Sequence, residues 1–119
     1  MSDLKAILHE ALEEVWNKGN VDAIASFYHP EYYLHAYRGI DLRFKDLSED
    51  LSSLKTACPD FHETVFDMIH EDDQVVARLM MSGTPLMDLA GLPPVGERFE
   101  VHTTDIYRFC EDKIIEQWG

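Results

Sequence analysis

The sequence predicts an α+β domain, helical in its first half and built of antiparallel strands in its second. Three observations predict it. From Leu4 to Trp16 the apolar residues recur at helical spacing. From His62 onward, strand-like segments rich in β-branched and aromatic residues are separated by short acidic turns. The texture changes at Cys58-Pro59-Asp60, where the last helical pattern stops. The length of 119 residues points to one domain, spanning the whole chain.

The first helix is carried by Leu4, Ile7, Leu8, Ala11, Leu12, Val15 and Trp16, with Glu10, Glu13, Glu14 and Lys18 on the other side. Ser2 or Asp3 supplies its N-cap, and Gly19 stands where a left-handed C-terminal cap belongs. A second helix is expected from Asn20, its N-cap, through Val21, Ile24, Ala25 and Tyr28, with Pro30 as the stop. Tyr32 to Tyr37 reads as a short aromatic strand. A third helix is expected roughly between Leu42 and Lys55, with Leu47, Leu51 and Leu54 on one stripe. Strands follow at His62 to His70 and Gln74 to Gly83, turned by Glu71-Asp72-Asp73. Thr84 to Gly96 is a loop rich in Pro and Gly. Arg98 to Phe109 and Lys113 to Trp118 close the chain as a hairpin about Glu111-Asp112.

Composition narrows the partners. Ten basic against 23 acidic residues leave a net charge of −13, which disfavours nucleic acid and anionic membranes as ligands. Cys58 and Cys110 do not make a disulfide framework. The start, Met1-Ser2-Asp3-Leu4, has neither a basic region nor a long apolar stretch, so a cytoplasmic, reducing setting is expected. No His-x-x-x-His or Cys-x-x-Cys pair and no glycine-rich phosphate loop occurs, so neither a metal nor any other cofactor is expected.

Ordered pieces of the chain resemble one family. Glu14-Val15-Trp16-Asn17-Lys18-Gly19-Asn20 leading to Phe27-Tyr28-His29-Pro30 is similar to the opening of SnoaL-like polyketide cyclases. Pro59-Asp60-Phe61-His62, Gly83-Thr84 and Gly91-Leu92-Pro93-Pro94-Val95-Gly96 resemble their middle. Asp105-Ile106-Tyr107-Arg108-Phe109 and Lys113-Ile114-Ile115-Glu116-Gln117-Trp118 resemble their end. The resemblance implies the cone-shaped nuclear-transport-factor-2-like fold, shared with ketosteroid isomerase: three N-terminal helices on a curved, mostly antiparallel sheet around an apolar pocket. It also implies a homodimer paired through the convex sheet face, here His102, Thr104, Ile106 and Arg108. Pro85 departs from the family, which often has His there; Met87 and Leu89 replace a small residue and a Phe.

Asp105 leads the candidate residues. On a regular strand it shares a face with Val101, Thr103, Tyr107 and Phe109, and mostly apolar company desolvates a carboxyl and raises its pKa. Such a group can exchange a proton near neutral pH. By resemblance it matches the acid/base Asp of the cyclases and the neutral oxyanion-hole Asp of ketosteroid isomerase, the latter a worked case of pKa tuning. His35, on a face with Tyr33 and Tyr37, falls by resemblance where ketosteroid isomerase places its base. Tyr33 or Tyr37 would orient substrate, and Trp16, Phe66 and Tyr107 would line the pocket. The expected function is cofactor-free acid/base chemistry on a small apolar carbonyl compound. The alternative is a non-catalytic binder of the same fold, favoured by the apolar Pro85 and Met87. A third reading, epoxide hydrolysis, needs a carboxylate pair, and the sequence offers one convincing pocket carboxylate.

Overall fold

The computed structural model describes residues 2–37, 40–89 and 92–119. Helix α1 (Leu4–Ala11) starts on Asp3, whose carboxylate accepts from the Ala6 N–H at 3.1 Å. It continues as a π-helical segment over Leu12–Asn17, closed where the Lys18 N–H donates to the Glu13 carbonyl at 2.9 Å. Gly19 follows with φ +71, the left-handed turn its position requires. Leu4, Leu8, Ala11, Leu12 and Val15 are all buried, as the spacing predicts.

The second helix is shorter than expected. A 3₁₀ turn (Val21–Ala23) leads into α2 (Ile24–Phe27), and β1 (Tyr28–Tyr37) begins at once. Tyr28, expected on the helical stripe, is the first residue of the strand. Pro30 bars the helix from running further, since it pushes His29, the residue before it, toward extended backbone. Pro30 also has no N–H to give to a ladder, and the pairing of β1 is irregular between Tyr28 and Tyr33. A strand absent from the sequence reading, β2 (Ile40–Arg43), pairs antiparallel with β1. Helix α3 (Phe44–Ala57) therefore starts after Leu42. The Asp46 carboxylate accepts from the Arg43 N–H at 2.9 Å and fixes that start.

The remaining strands are β3 (His62–Glu71), β4 (Gln74–Gly83), β5 (Phe99–Cys110) and β6 (Lys113–Trp118). The sheet is open, in the order β2-β1-β6-β5-β4-β3. Among the described residues β1 and β6 run parallel and the other neighbours antiparallel. The architecture is the expected α+β one, three helices on a six-stranded, mostly antiparallel sheet. The tight turns use left-handed Asp72, Glu111 and Asp112, a conformation that acidic residues tolerate least badly when short.

The larger of two hydrophobic clusters among the described residues holds helices to sheet. Leu8 and Val15 of the first helical segment, Leu47 and Leu51 of α3, and Val75, Ala77, Leu79, Tyr107 and Ile114 of the strands are essentially sealed from solvent. Asn17 ties the helical end to the sheet edge. Its side-chain Oδ1 accepts from the Glu63 N–H at 2.7 Å, and its Nδ2 donates to the Glu63 carbonyl at 3.0 Å. Lys55 donates to the Asn17 and Phe61 carbonyls at 2.8 and 2.9 Å, so α3 joins the same junction. Both cysteines are free. Among the described residues, no helix is long and apolar enough to cross a membrane.

Candidate functional site

The register of β4 and β5 decides which way Asp105 points. Val75, Ala77 and Leu79 face the helices and are buried. Their cross-strand partners are Tyr107, Asp105 and Thr103 in that order. Directly opposed residues share a face of the sheet. Asp105 therefore turns toward the helices, opposite the small side chain of Ala77.

There it meets a cavity of about 280 Å³ between the helices and the sheet. Leu12, Trp16, Leu34, Leu47, Phe61 and Met81 supply much of the apolar wall. Small-molecule sites usually have this character, apolar with a few placed polar groups. The polar groups are the carboxyls of Asp50, Glu63 and Asp105, the Gln117 amide, and the hydroxyls of Tyr28, Tyr32, Thr103 and Tyr107. Three carboxyls share the cavity, which corrects the expectation of one.

These groups hold one another in place. The Tyr32 hydroxyl donates to Gln117 Oε1 at 2.7 Å, which turns the amide so that Nε2 donates to Asp105 Oδ2 at 3.2 Å. The Tyr107 hydroxyl reaches the same oxygen at 3.4 Å. Asp105 Oδ1 has no partner among the described residues. Trp16 Nε1 donates to the Tyr28 hydroxyl at 2.8 Å, leaving the Tyr28 O–H as a donor.

Electrostatics separates the carboxyls. Burial raises the Asp105 pKa, and hydrogen bonds from Gln117, Tyr107 and Thr103 pull back against it. Glu63 has no such help. Its Oε2 is shut off from solvent and has no partner among the described residues. Burial first, then the neighbouring Asp105 charge, push its pKa from 4.5 to about 8, against a smaller opposing pull from Lys55. Asp50 is raised by burial and then by Asp46.

A pH dependence of stability follows. The folded-state pKa of Glu63 lies above its ordinary value, so the native state binds the extra proton. That contribution is complete below pH 4.5 and is lost as pH rises through about 8. Between these limits the wild type should lose stability relative to Glu63→Gln, with a slope approaching about 1.4 kcal/mol per pH unit. Denaturant titrations of both proteins across that window check it; parallel stability curves would refute it.

The structure brings three of the expected site residues together, Asp105, Tyr107 and Trp16. His35, Tyr33 and Phe66 are not brought there. In β1 the alternation is as read, but Tyr32 and Leu34 take the cavity side, so Tyr33 and His35 turn outward. His35 stacks on Trp118 with ring centroids 5.0 Å apart and pairs through Nε2 with Glu116. Arg108 donates to the same carboxylate at 2.7 Å. The Tyr33 hydroxyl donates to Asp41 at 2.6 Å. Tyr37 ends β1, and its side chain lies outside the described residues.

Phe66 is also displaced. A bulge between Val65 and Asp67 breaks the alternation of β3, so Val65 and Met68 pack on the core while Phe66 is 45% exposed. Its ring stacks on His102 at 5.4 Å, on the outer face. Of the loop departures, Leu89 lines the cavity, Pro85 is buried elsewhere, and Met87 is exposed. Neither Pro85 nor Met87 therefore makes the cavity more apolar.

Glu63, Asp50 and Gln117 were not singled out from sequence. Glutamate on an edge strand and aspartate on an amphipathic helix both read as solvent-facing. The one available signal was position: Gln117 lies in β6 opposite Tyr107 of β5, and so on the same face.

Residues 6–119 match the SnoaL-like polyketide cyclase family. Among solved structures, a SnoaL-like polyketide cyclase from Agrobacterium tumefaciens superposes with a TM-score of 0.83 at 21% identity, over 99% of this chain and 90% of that one. TsrD from Streptomyces laurentii gives 0.84 at 22% identity, over 99% and 89%. IdmH from Streptomyces antibioticus gives 0.81 at 21% identity, over 98% and 90%. At such identities the likeness speaks for the fold alone. No curated protein matches the chain.

Proposed function

The chain belongs to the SnoaL-like polyketide cyclase family, and from that premise we propose that it performs cofactor-free acid/base chemistry on a small apolar carbonyl compound held in the cavity beside Asp105. One observation carries the reading: Asp105 is a desolvated carboxyl with one oxygen fixed by donors and the other, Oδ1, unpartnered. Such a group is poised to take a proton from a carbon next to a carbonyl and to return it elsewhere. The electron pair left on carbon either moves along the chain, as in an isomerase, or attacks a second carbonyl of the same molecule, as in a cyclase. The apolar wall binds the carbon skeleton and excludes water from the charge that develops.

The test is proton exchange. Small ketones and diketones incubated with the protein in heavy water should exchange their α-hydrogens faster than with buffer alone, read by NMR. A ligand that binds in the cavity without exchange or turnover across such a panel would favour the non-catalytic reading. The three carboxyls also favour a second reading, opening of an epoxide by an activated water. Formation of a diol from an epoxide included in the panel would select it.

Homodimerisation through the outer sheet face belongs to the same proposal. Phe66, His102 and Ile106 are exposed there, with Arg108 half-buried beside them. An apolar patch of this kind suits a partner surface. Sedimentation at micromolar concentration should give a dimer, and Ile106→Arg should dissociate it; a monomeric wild type would refute the proposal.

A further inference from the structure

The proposed chemistry leaves the cavity carboxyls of Glu63 and Asp50 unused, and of these Glu63 has a solvent-free oxygen without a partner among the described residues. Glu63 sits where two spaces meet. On one side is the apolar cavity, which it lines together with Asp105. On the other is a small polar cleft at the sheet edge, lined by His9, Glu13, Asn17 and His62 as well as by Glu63 itself. Its backbone is clamped on both N–H and C=O by Asn17, so the side chain departs from a fixed point. Its Oε2 is solvent-free and without a partner among the described residues. A polar atom in that state costs free energy unless something meets it, and functional sites are where such costs persist.

We propose that Glu63 is a second catalytic residue, the hydrogen-bond donor to the carbonyl oxygen of the substrate whose α-proton Asp105 removes. The assignment rests on the reading of the cavity given above and divides its labour. Burial raises the pKa of Asp105, but the hydrogen bonds it accepts from Gln117 and Tyr107 act against that and support its ionised form, the form a base needs. Glu63 accepts none at Oε2, and the adjacent Asp105 charge favours its neutral form, the form that donates. Two carboxyls whose surroundings push them apart take the two roles.

The step balances. The carboxylate of Asp105 takes the α-proton, and the C–H electron pair forms the C=C bond of an enol-like intermediate. The carbonyl π-electrons move onto oxygen, which the Glu63 O–H stabilises. Asp105 then returns its proton, to carbon in an isomerisation or to the alkoxide formed when carbon attacks a second carbonyl; the first carbonyl reforms and the Glu63 proton stays with Glu63.

The groups around Glu63 support a neutral acid at physiological pH. From α3, Lys55 is the one cation that lowers its pKa, and its ammonium is already committed to the Asn17 and Phe61 carbonyls. The tyrosines of β1 and β5 that face it, Tyr28, Tyr32 and Tyr107, are all pushed further from ionisation by burial. In the outer cleft, Glu13 from the first helical segment is held low by the Asn17 amide, partly against burial, so it adds no proton-rich competitor. His62, the other ionisable group beside it on β3, and His9 of α1 open onto that cleft rather than the apolar cavity.

The test uses the full chain and an isotope-labelled probe, acetophenone, whose carbonyl stretch reports a hydrogen bond directly by infrared spectroscopy. In the wild type at neutral pH, bound acetophenone should show a lowered carbonyl frequency, and raising the pH through about 8 should reverse it. In Glu63→Gln, which preserves size and a donor, the frequency should not change with pH. Carbon NMR of glutamate-labelled protein should show one carboxyl titrating near 8 that is absent from Glu63→Gln and falls in Asp105→Asn, where the neighbouring charge is gone. A carboxyl ionised at neutral pH, or a probe frequency with the same pH profile in wild type and Glu63→Gln, would overturn the assignment while leaving the cavity reading intact. Failure of acetophenone to bind a wild type whose Glu63 titrates near 8 would remove the carbonyl-ligand reading, and the role of Glu63 with it.

Discussion

Asp105→Ala should lower the rate of α-proton exchange, or of turnover on a substrate found by it, by about 10²–10³. The size follows from what the side chain supplies. Asp105 lies on the cavity face of β5 and is fixed by Gln117 at 3.2 Å, so little reorganisation precedes proton transfer. Alanine removes both the base and the acceptor of that bond. Asp105→Asn keeps the shape but cannot carry a proton. If proton transfer is the role, Asn falls nearly as far as Ala, and the loss appears in kcat rather than KM. If only a hydrogen bond is needed, Asn retains much of the rate. Thermal melting of both variants checks that the fold survives the loss of the acceptor for Gln117 and Tyr107. Full activity in both variants would refute the assignment and favour the non-catalytic reading.

The largest effect on stability is expected at Leu8. Its side chain is completely buried where α1 lies on the sheet, so Leu8→Ala should cost about 2–5 kcal/mol through lost burial and the void left behind. Leu12→Ala belongs to the same range but has a second consequence. Leu12 is nearly as buried and lines the functional cavity, so its truncation enlarges a space that already exists. Leu12→Ala should therefore weaken binding of a small ligand as well as the fold, whereas Leu8→Ala should leave ligand affinity close to that of the wild type. Urea titration with and without acetophenone separates the two. A loss below about half a kcal/mol at both sites would be incompatible with a helix packed as described.

How much of this was legible in the sequence depends on the element. The stripe from Leu4 to Trp16 repeats without a miss; Leu4, Leu8, Ala11, Leu12 and Val15 are buried, and Ile7 and Trp16 are half-buried. The acidic turns at Asp72 and at Glu111-Asp112 lie where the hairpins turn. Short or mixed segments read less well. The stripe drawn through Tyr28 was cut short by Pro30, and β2 has four residues, too few for a period to show. In β3 the bulge at Val65–Asp67 makes any even alternation fail on one side of it.

The sequence by itself determined the α+β class, the first helix and its buried face, and the partition of β5 that sets Asp105 apart from His102 and Thr104. Local periodicity suffices for these, because side-chain direction repeats with the backbone. Periodicity divides a strand into two faces but does not say which one meets the helices. Both faces of β1 carry aromatic rings, so nothing local told Tyr32 and Leu34 from Tyr33 and His35. Tertiary structure decided that, through the pairing of β1 with β6 and the packing of α3 on one side alone. It also decided the burial of Glu63. A glutamate at a strand edge is ordinarily solvated, and only the clamp from Asn17, 46 residues earlier, and the closure of the first helical segment over the sheet take its carboxyl out of water.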